Sequence, residues 1–266
     1  MNAVAAAALP AMPPSVGDVL TFWLTVPEPA WLSYDGMPPM MVTAHRLARY
    51  ATLPRAIHTY CVDSSAYTEL GLYGEWRLNP AEYVALLRKT QDEAGPFAWC
   101  ACQDWPVEEE MLRATGLTPQ EHQRRSLDNY LELTDLAPDL PWVPVVHGVT
   151  NGMYLRHRDA YARHVDLDAL PVVGLGSVCK RQTSIRVSLL VTQLFEEGLQ
   201  NMHAFGMKSV ALQRLGRKLL SADSMAWSTA ATYEPPMPGH THKSCSSCPA
   251  FAAQWAEHIT SLPLVA

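Results

Sequence analysis

The stretch Ile57-His58-Thr59-Tyr60-Cys61-Val62-Asp63-Ser64-Ser65-Ala66-Tyr67 contains the pattern on which the fold turns. A short, largely apolar run meets an acid and then three small residues. Such a run, bounded by small polar residues, reads as a strand covered on both faces. The small residues let the backbone approach a ligand closely, and Tyr67 offers a flat face on which a base could stack. Asp63-Ser64-Ser65 also suits the cap of a following helix, so the stretch alone leaves site and cap both open.

The pattern recurs. Residues 20–26, 97–102, 143–146, 172–175, 202–205 and 219–222 are further short apolar runs, which together predict seven strands. Helices are expected between them. Asn79-Pro80-Ala81-Glu82 carries an N-cap residue, proline at the first helical position and glutamate at the third, and Thr118-Pro119-Gln120-Glu121 repeats it. Tyr83, Leu86 and Leu87 then share one helical face, as do Leu127, Tyr130 and Leu131. Ser184 is expected to cap a helix through Ile185, Leu189, Leu190 and Leu194 that ends near Gly198. Repeated strand–helix alternation predicts a parallel α/β fold: first a TIM-like (β/α)8 barrel with one degenerate unit, second a doubly wound sheet.

Several strands end in polar residues: Gln103-Asp104, His147-Gly148, Gly174-Leu175-Gly176-Ser177 and Asp223-Ser224. In a barrel these ends converge on one face, where such folds build their sites. Each residue also has a plainer reading. Asp104 before Trp105-Pro106 could start a turn, Phe205 could be core, and His147 could be a satisfied buried histidine.

A net charge of −6 argues against a broadly basic surface that coats nucleic acid, though not against a local basic patch. With 48% hydrophobic and 17% charged residues, the composition is that of an ordinary soluble enzyme. Residues 1–9 are apolar but too short to span a bilayer, and residues 1–17 read as a frayed lead-in. The barrel-like part is expected over 18–232. Four of the six cysteines, Cys61, Cys100, Cys102 and Cys179, sit in or beside apolar runs, which fits a reducing cytoplasm without a disulfide framework.

The proline-rich segment 233–239 breaks the composition and opens a C-terminal segment, 233–266, with a last helix over 250–261. Within it lies His240-Thr241-His242-Lys243-Ser244-Cys245-Ser246-Ser247-Cys248. Two thiolates spaced C-x-x-C can share one tetrahedral ion, as in zinc knuckles. His240 and His242 are close enough to complete a structural Zn2+ site with Cys245 and Cys248, and His258 is the reserve ligand. A free thiol pair beside a histidine-rich loop is the alternative.

In order along the chain, five motifs resemble those of the tRNA-guanine transglycosylases. Asp63-Ser64-Ser65-Ala66-Tyr67 is similar to that family's Asp-Ser-Gly-Gly/Ser-Phe signature. Val145-Val146-His147-Gly148, followed by Tyr154-Leu155-Arg156, resembles its Val-Gln-Gly and Leu-Arg segment. Val173-Gly174-Leu175-Gly176-Ser177 looks like its Gly-Gly-Leu loop, and His203-Ala204-Phe205-Gly206 like its (His/Leu)-x-x-Gly strand end. Asp223-Ser224-Met225-Ala226-Trp227 resembles the archaeal branch's nucleophile motif, and the His/Cys cluster follows in the family's order. The chain departs from the family at His147, where a base-reading glutamine is usual, and in lacking the first zinc cysteine.

The resemblance covers roughly 57–258, and its compactness is most like the bacterial and phage proteins that place 7-deazaguanines in DNA. It implies base exchange: guanine in DNA replaced by a 7-deazaguanine, such as 7-cyano-7-deazaguanine, through an aspartyl-glycosyl intermediate. Asp223 would be the nucleophile and Asp63 the acid and base. Asp104, with Ser64, His147, Gly148, Gly174, Leu175 and Gly176, would hold the base, and Tyr67 and Phe205 would sandwich it. DNA and a 7-deazaguanine base are the expected partners, with tRNA the alternative to DNA, no membrane, and a protein of a DNA-modification system as a further candidate. Two rivals stand beside this: an N-glycosidase that admits water, and a barrel subunit without chemistry, against which the presence of both Asp63 and Asp223 argues.

Overall fold

A computed structural model describes residues 20–179, 185–207 and 209–263. The expected lead-in and the Ser184 cap lie outside the described residues. Among the described residues, nine strands, all paired in parallel, run β1 (Thr21–Thr25), β2 (Met40–Thr43), β3 (Tyr60–Asp63), β4 (Cys100–Ala101), β5 (Trp142–Val143), β6 (Val145–Val146), β7 (Val173–Leu175), β8 (Met202–Ala204) and β9 (Ser221–Ser224). The sheet order is β5-β4-β3-β2-β1-β9-β8-β7-β6. Its two outer strands are consecutive in the chain and are split only by Pro144, which has no N–H to give a ladder. The proline carbonyl still accepts from Gly174 N at 2.8 Å, so the order closes on itself as eight staves. This is the TIM-like α/β barrel expected from the strand–helix alternation.

The stave missing from the sequence reading is β2. Its unit is the degenerate one: the strand is followed only by the single turn Ala44–Leu47. Elsewhere the helical caps are as the sequence predicts. Asn79 and Glu82 form a reciprocal capping box at the helix Pro80–Ala94, and the Thr118 hydroxyl accepts from Glu121 N at the helix Pro119–Leu136. In the helix Ile185–Glu196 the buried face is Val187, Leu190, Val191 and Leu194, while Ile185 and Leu189 are exposed.

Two layers of core follow from the period-two alternation of the staves. Outward residues such as Phe22, Leu24, Met40, Val42, Tyr60 and Val62 pack under the helices. Inward residues fill the barrel, where Trp23, Met41, Cys61, Trp99 and Val143 form a separate apolar plug. Above that plug the inward positions turn polar. The last helix, Pro249–Ser261, packs on β1 through Trp255 against Phe22, with ring centroids 5.8 Å apart. No helix among the described residues is long and apolar enough to cross a membrane.

Candidate active site and metal cluster

The polar ends of the staves enclose a cavity of about 200 Å³ whose wall includes Asp63, Asp104, Asp223, Tyr67, Phe205 and His147. Each acid arrives by a different local route. Asp63 is the inward-facing last residue of β3. The chain then turns sharply through Ser65, which holds a left-handed φ of 73°, and this aims Ser65 N at Asp63 Oδ2, 3.0 Å away. Ser65 is the N-cap position of the helix Ala66–Tyr73 but makes no side-chain cap bond, so Asp63 serves the turn rather than the helix end.

Asp223 is on β9, held from two neighbouring staves. The Thr25 hydroxyl of β1 donates to its Oδ2 at 2.7 Å, and Gly206 N, just past β8, donates to its Oδ1 at 2.9 Å. Asp104 lies on the loop after β4, which the helix Pro119–Leu136 anchors: Asn129 accepts from Gln103 N and the Ser126 hydroxyl from Trp105 N, both at 2.8 Å. The Ser64 hydroxyl donates to Asp104 Oδ1 at 2.7 Å, and His147 Nε2 lies 2.9 Å from Oδ2.

A short chain of bonds assigns the proton on the other nitrogen of His147. The Ser177 hydroxyl must donate to the Glu108 carboxylate, 2.7 Å away, because the carboxylate only accepts. It therefore accepts from Val107 N at 2.9 Å and from His147 Nδ1 at 3.1 Å. His147 is fully buried with both nitrogens engaged. It braces Asp104 and keeps no N–H spare for a base, which revises the helping role expected of it. Gly176 makes this possible: a Cβ there would fall 2.1 Å from His147 Cε1.

Three buried carboxylates in one small space repel one another. Asp63 absorbs the consequence, its carboxyl being pushed up to about 7, first by burial and then by the charges of Asp104 and Asp223. The pocket thus offers one carboxylate fixed as a double acceptor, one acid that titrates near neutrality, and one braced acceptor.

Of the residues singled out in the sequence, Gly148, Gly174 and Leu175 are not on the cavity wall. Leu175 points outward into the core under the helices. Gly174 faces inward but lies under the Phe205 ring, and Gly148 packs against Tyr154. Ser64 sits behind Asp104 rather than on the wall. Thr25 and Glu108 were not found from sequence, and Ser177 was read only as a polar strand end: Thr25 is an ordinary strand threonine, and Glu108 and Ser177 meet only after folding.

At the C-terminal end, His240, His242, Cys245 and Cys248 bring their donor atoms within 4.8 Å of one another and could hold a metal ion. His240 Nδ1 is 3.3 Å from His242 Nε2, which is 3.1 Å from Cys245 Sγ; Cys248 Sγ is 3.5 Å from His240 Nδ1. Met237 N also donates to Cys245 Sγ at 3.4 Å. His258, the reserve ligand, is exposed on the last helix and outside this group.

With this geometry in place, comparison with protein families finds that the model of DpdA, DeoxyPurine in DNA protein A, matches residues 20–264. The chain belongs to the DpdA family. Both the barrel and the His/Cys cluster fall inside the match. Membership supports, in general terms, a transglycosylase-like enzyme of DNA deazapurine modification. Comparison with curated proteins finds no match.

Proposed function

We propose that this DpdA-family chain exchanges guanine in DNA for a 7-deazaguanine, with Asp223 as nucleophile and Asp63 as acid and base. The observation that carries this is the pairing of opposite environments in one cavity: Asp223 held by two donors, Asp63 pushed up to about 7. Exchange at C1′ needs one group of each kind.

The target nucleotide leaves its stack and enters the cavity. An Asp223 oxygen attacks C1′ as the bond to guanine N9 breaks; the electron pair goes to the base, and Asp63 supplies the proton. The incoming 7-deazaguanine gives its N9 proton to Asp63, N9 attacks C1′, and the Asp223–C1′ bond breaks. Asp63 ends protonated as it began, so the cycle closes. A group titrating near 7 can serve in both directions. Asp104 accepts from the N1–H and N2–H groups of the base, held in place by Ser64 and His147, while Tyr67 and Phe205 flank the ring.

We also propose that the metal is a structural zinc ion. Zn–S bonds of about 2.3 Å and Zn–N bonds of about 2.0–2.1 Å give a tetrahedron with edges of roughly 3.3–3.8 Å. The donor separations of 3.3 and 3.5 Å fall within that frame, and the 3.1 Å separation is slightly shorter than its edges. The set of two histidines and two cysteines is closed, with no position left for substrate. When bound, the ion would pin the proline-rich exit to the last helix; the residues of the cavity do the chemistry.

Incubation with radiolabelled guanine and, separately, DNA and tRNA tests the function. Label in DNA alone is expected. Label in tRNA alone would move the substrate to RNA. Release of guanine with no incorporation would make the chain an N-glycosidase, and label in neither would favour a subunit that needs a protein partner.

A further inference from the structure

Below Asp223 lies a buried histidine that this scheme does not use. His203 is on β8, directly paired in register with Ser221 of β9. Its ring is fully buried, 4.9 Å from Trp99 and edge-on to Phe205 at 4.5 Å. Nδ1 lies 2.9 Å from the Ser221 hydroxyl. Nε2 lies 3.3 Å from Asp223 Oδ1, yet it is buried and makes no aligned hydrogen bond. A buried polar atom left without a bond costs stability, so its persistence calls for a reason.

The proton position follows from what surrounds the ring. If Ser221 accepted from Nδ1, a bare Nε2 lone pair would face a carboxylate oxygen at 3.3 Å inside a dry barrel. If Ser221 donates to Nδ1, an N–H faces that oxygen instead. The second arrangement is attractive at both nitrogens and the first is repulsive at one. Hydrogen bonds to reacting groups are commonly long before substrate arrives and tighten in the reactive complex.

We infer that His203 is a positioning residue for the nucleophile, its Nε2–H aimed at Asp223 Oδ1 and closing on it as the carboxylate turns between C1′ and its resting place. This rests on the base-exchange reading above. The donor acts most strongly when the glycosyl bond to Asp223 breaks, since negative charge then returns to the carboxylate. Among the described residues, the other ionisable groups around Asp223 are Asp63 and Asp104, with Tyr67, Glu108, His147 and Cys179 on the same wall and the Cys61 thiol beneath on β3. Asp104 and Glu108 repel the charge of Asp223 while Asp63 holds its proton, which gives an N–H on its inner side a clear purpose.

Two amide replacements separate the nitrogens. His203→Gln places an amide near the Nε2 position and His203→Asn near that of Nδ1. Nitrogen-15 NMR of the substrate-free wild type should show hydrogen on Nε2. In guanine exchange, His203→Gln should stay within about threefold of wild type, whereas His203→Asn should be roughly tenfold to a hundredfold slower. The acid limb of its rate profile, and the carbon-13 titration of the Asp223 carboxyl, should both move to higher pH in the Asn variant only. A ring with Nε2 bare, or two variants that behave alike, overturns the assignment. If the Asn variant does not fold, the wild-type tautomer alone decides. Should wild type exchange no guanine, the functional reading falls, and the tautomer and the Asp223 titration still decide the role of His203.

Discussion

The cavity and the C-terminal cluster each crowd together groups of one kind, yet they relieve the crowding in opposite ways. In the cavity, the carboxylates of Asp63, Asp104 and Asp223 repel, and the relief is a proton taken up by Asp63 near neutral pH. In the cluster, four electron-pair donors converge within 4.8 Å, and the relief suited to them is a cation. A proton comes and goes with each turnover, whereas a metal in a closed set of ligands stays. On the proposed reading, the first region serves chemistry and the second holds the chain.

The strongest way to break this comparison is at Asp223. Asp223→Asn should bind DNA and form no covalent adduct, because an amide is a poor attacking group. Denaturing electrophoresis after incubation with substrate should show a shifted band for wild type only. An equal band in the variant would move the nucleophile elsewhere, Asp63 first.

Next in size is the proton carrier itself. Asp63→Asn should slow turnover by about a hundredfold to ten-thousandfold, the range that positioned acids and bases supply. Turnover within about twofold of wild type would reduce Asp63 to a turn-forming residue.

The same residue separates function from stability. A carboxyl raised from 3.8 to about 7 on folding stabilises the fold fully only below about 4, and that contribution is lost as pH rises through 7. Asp63→Asn should therefore melt higher than wild type at pH 8, and the advantage should vanish near pH 4. Thermal melts at both values check it; an advantage that is the same at both would mean that Asp63 carries no burial strain.

The cluster should respond through structure alone. Cys245→Ala or Cys248→Ala should abolish near-stoichiometric zinc and speed proteolysis of the C-terminal segment. His258→Ala should change neither, the smallest effect of the series. Metal content by elemental analysis and limited proteolysis measure both, and a wild-type protein that is folded and free of metal after mild purification would end the metal reading.

Much of the barrel was legible because its staves are dense apolar runs and its helices have chemical start signals. β2 escaped because Met40-Met41-Val42-Thr43 directly follows Pro38-Pro39, so it reads as the end of a proline-rich loop. The break at Pro144 lay inside a run that looked continuous, since a missing N–H leaves no mark in a hydropathy pattern. The helix Ile185–Glu196 was legible as a helix, but apolar residues lie all round it, so periodicity alone does not pick its buried face. At the site, the acids at strand ends announced themselves. Their partners were harder to read: Thr25 and Glu108 are ordinary residues until the barrel brings them in, Ser177 showed only as a polar strand end, and His147 changed meaning once both its nitrogens were seen to be engaged.

The closure of the barrel between β1 and β9 bears on how the protein is made. Thr21 pairs with Ser221 and Leu24 with Ser224, and the hydroxyl that steadies Asp223 comes from a residue 198 positions earlier. Contacts so distant in sequence carry a large loop-closure cost and form slowly. A ribosome-bound chain that has not yet released β9 has no stave on which to place Asp223, whatever its earlier strands have done. The closure of the barrel is thus also what assembles the surroundings of Asp223, and on the proposed reading a chain that lacks β9 cannot attack C1′.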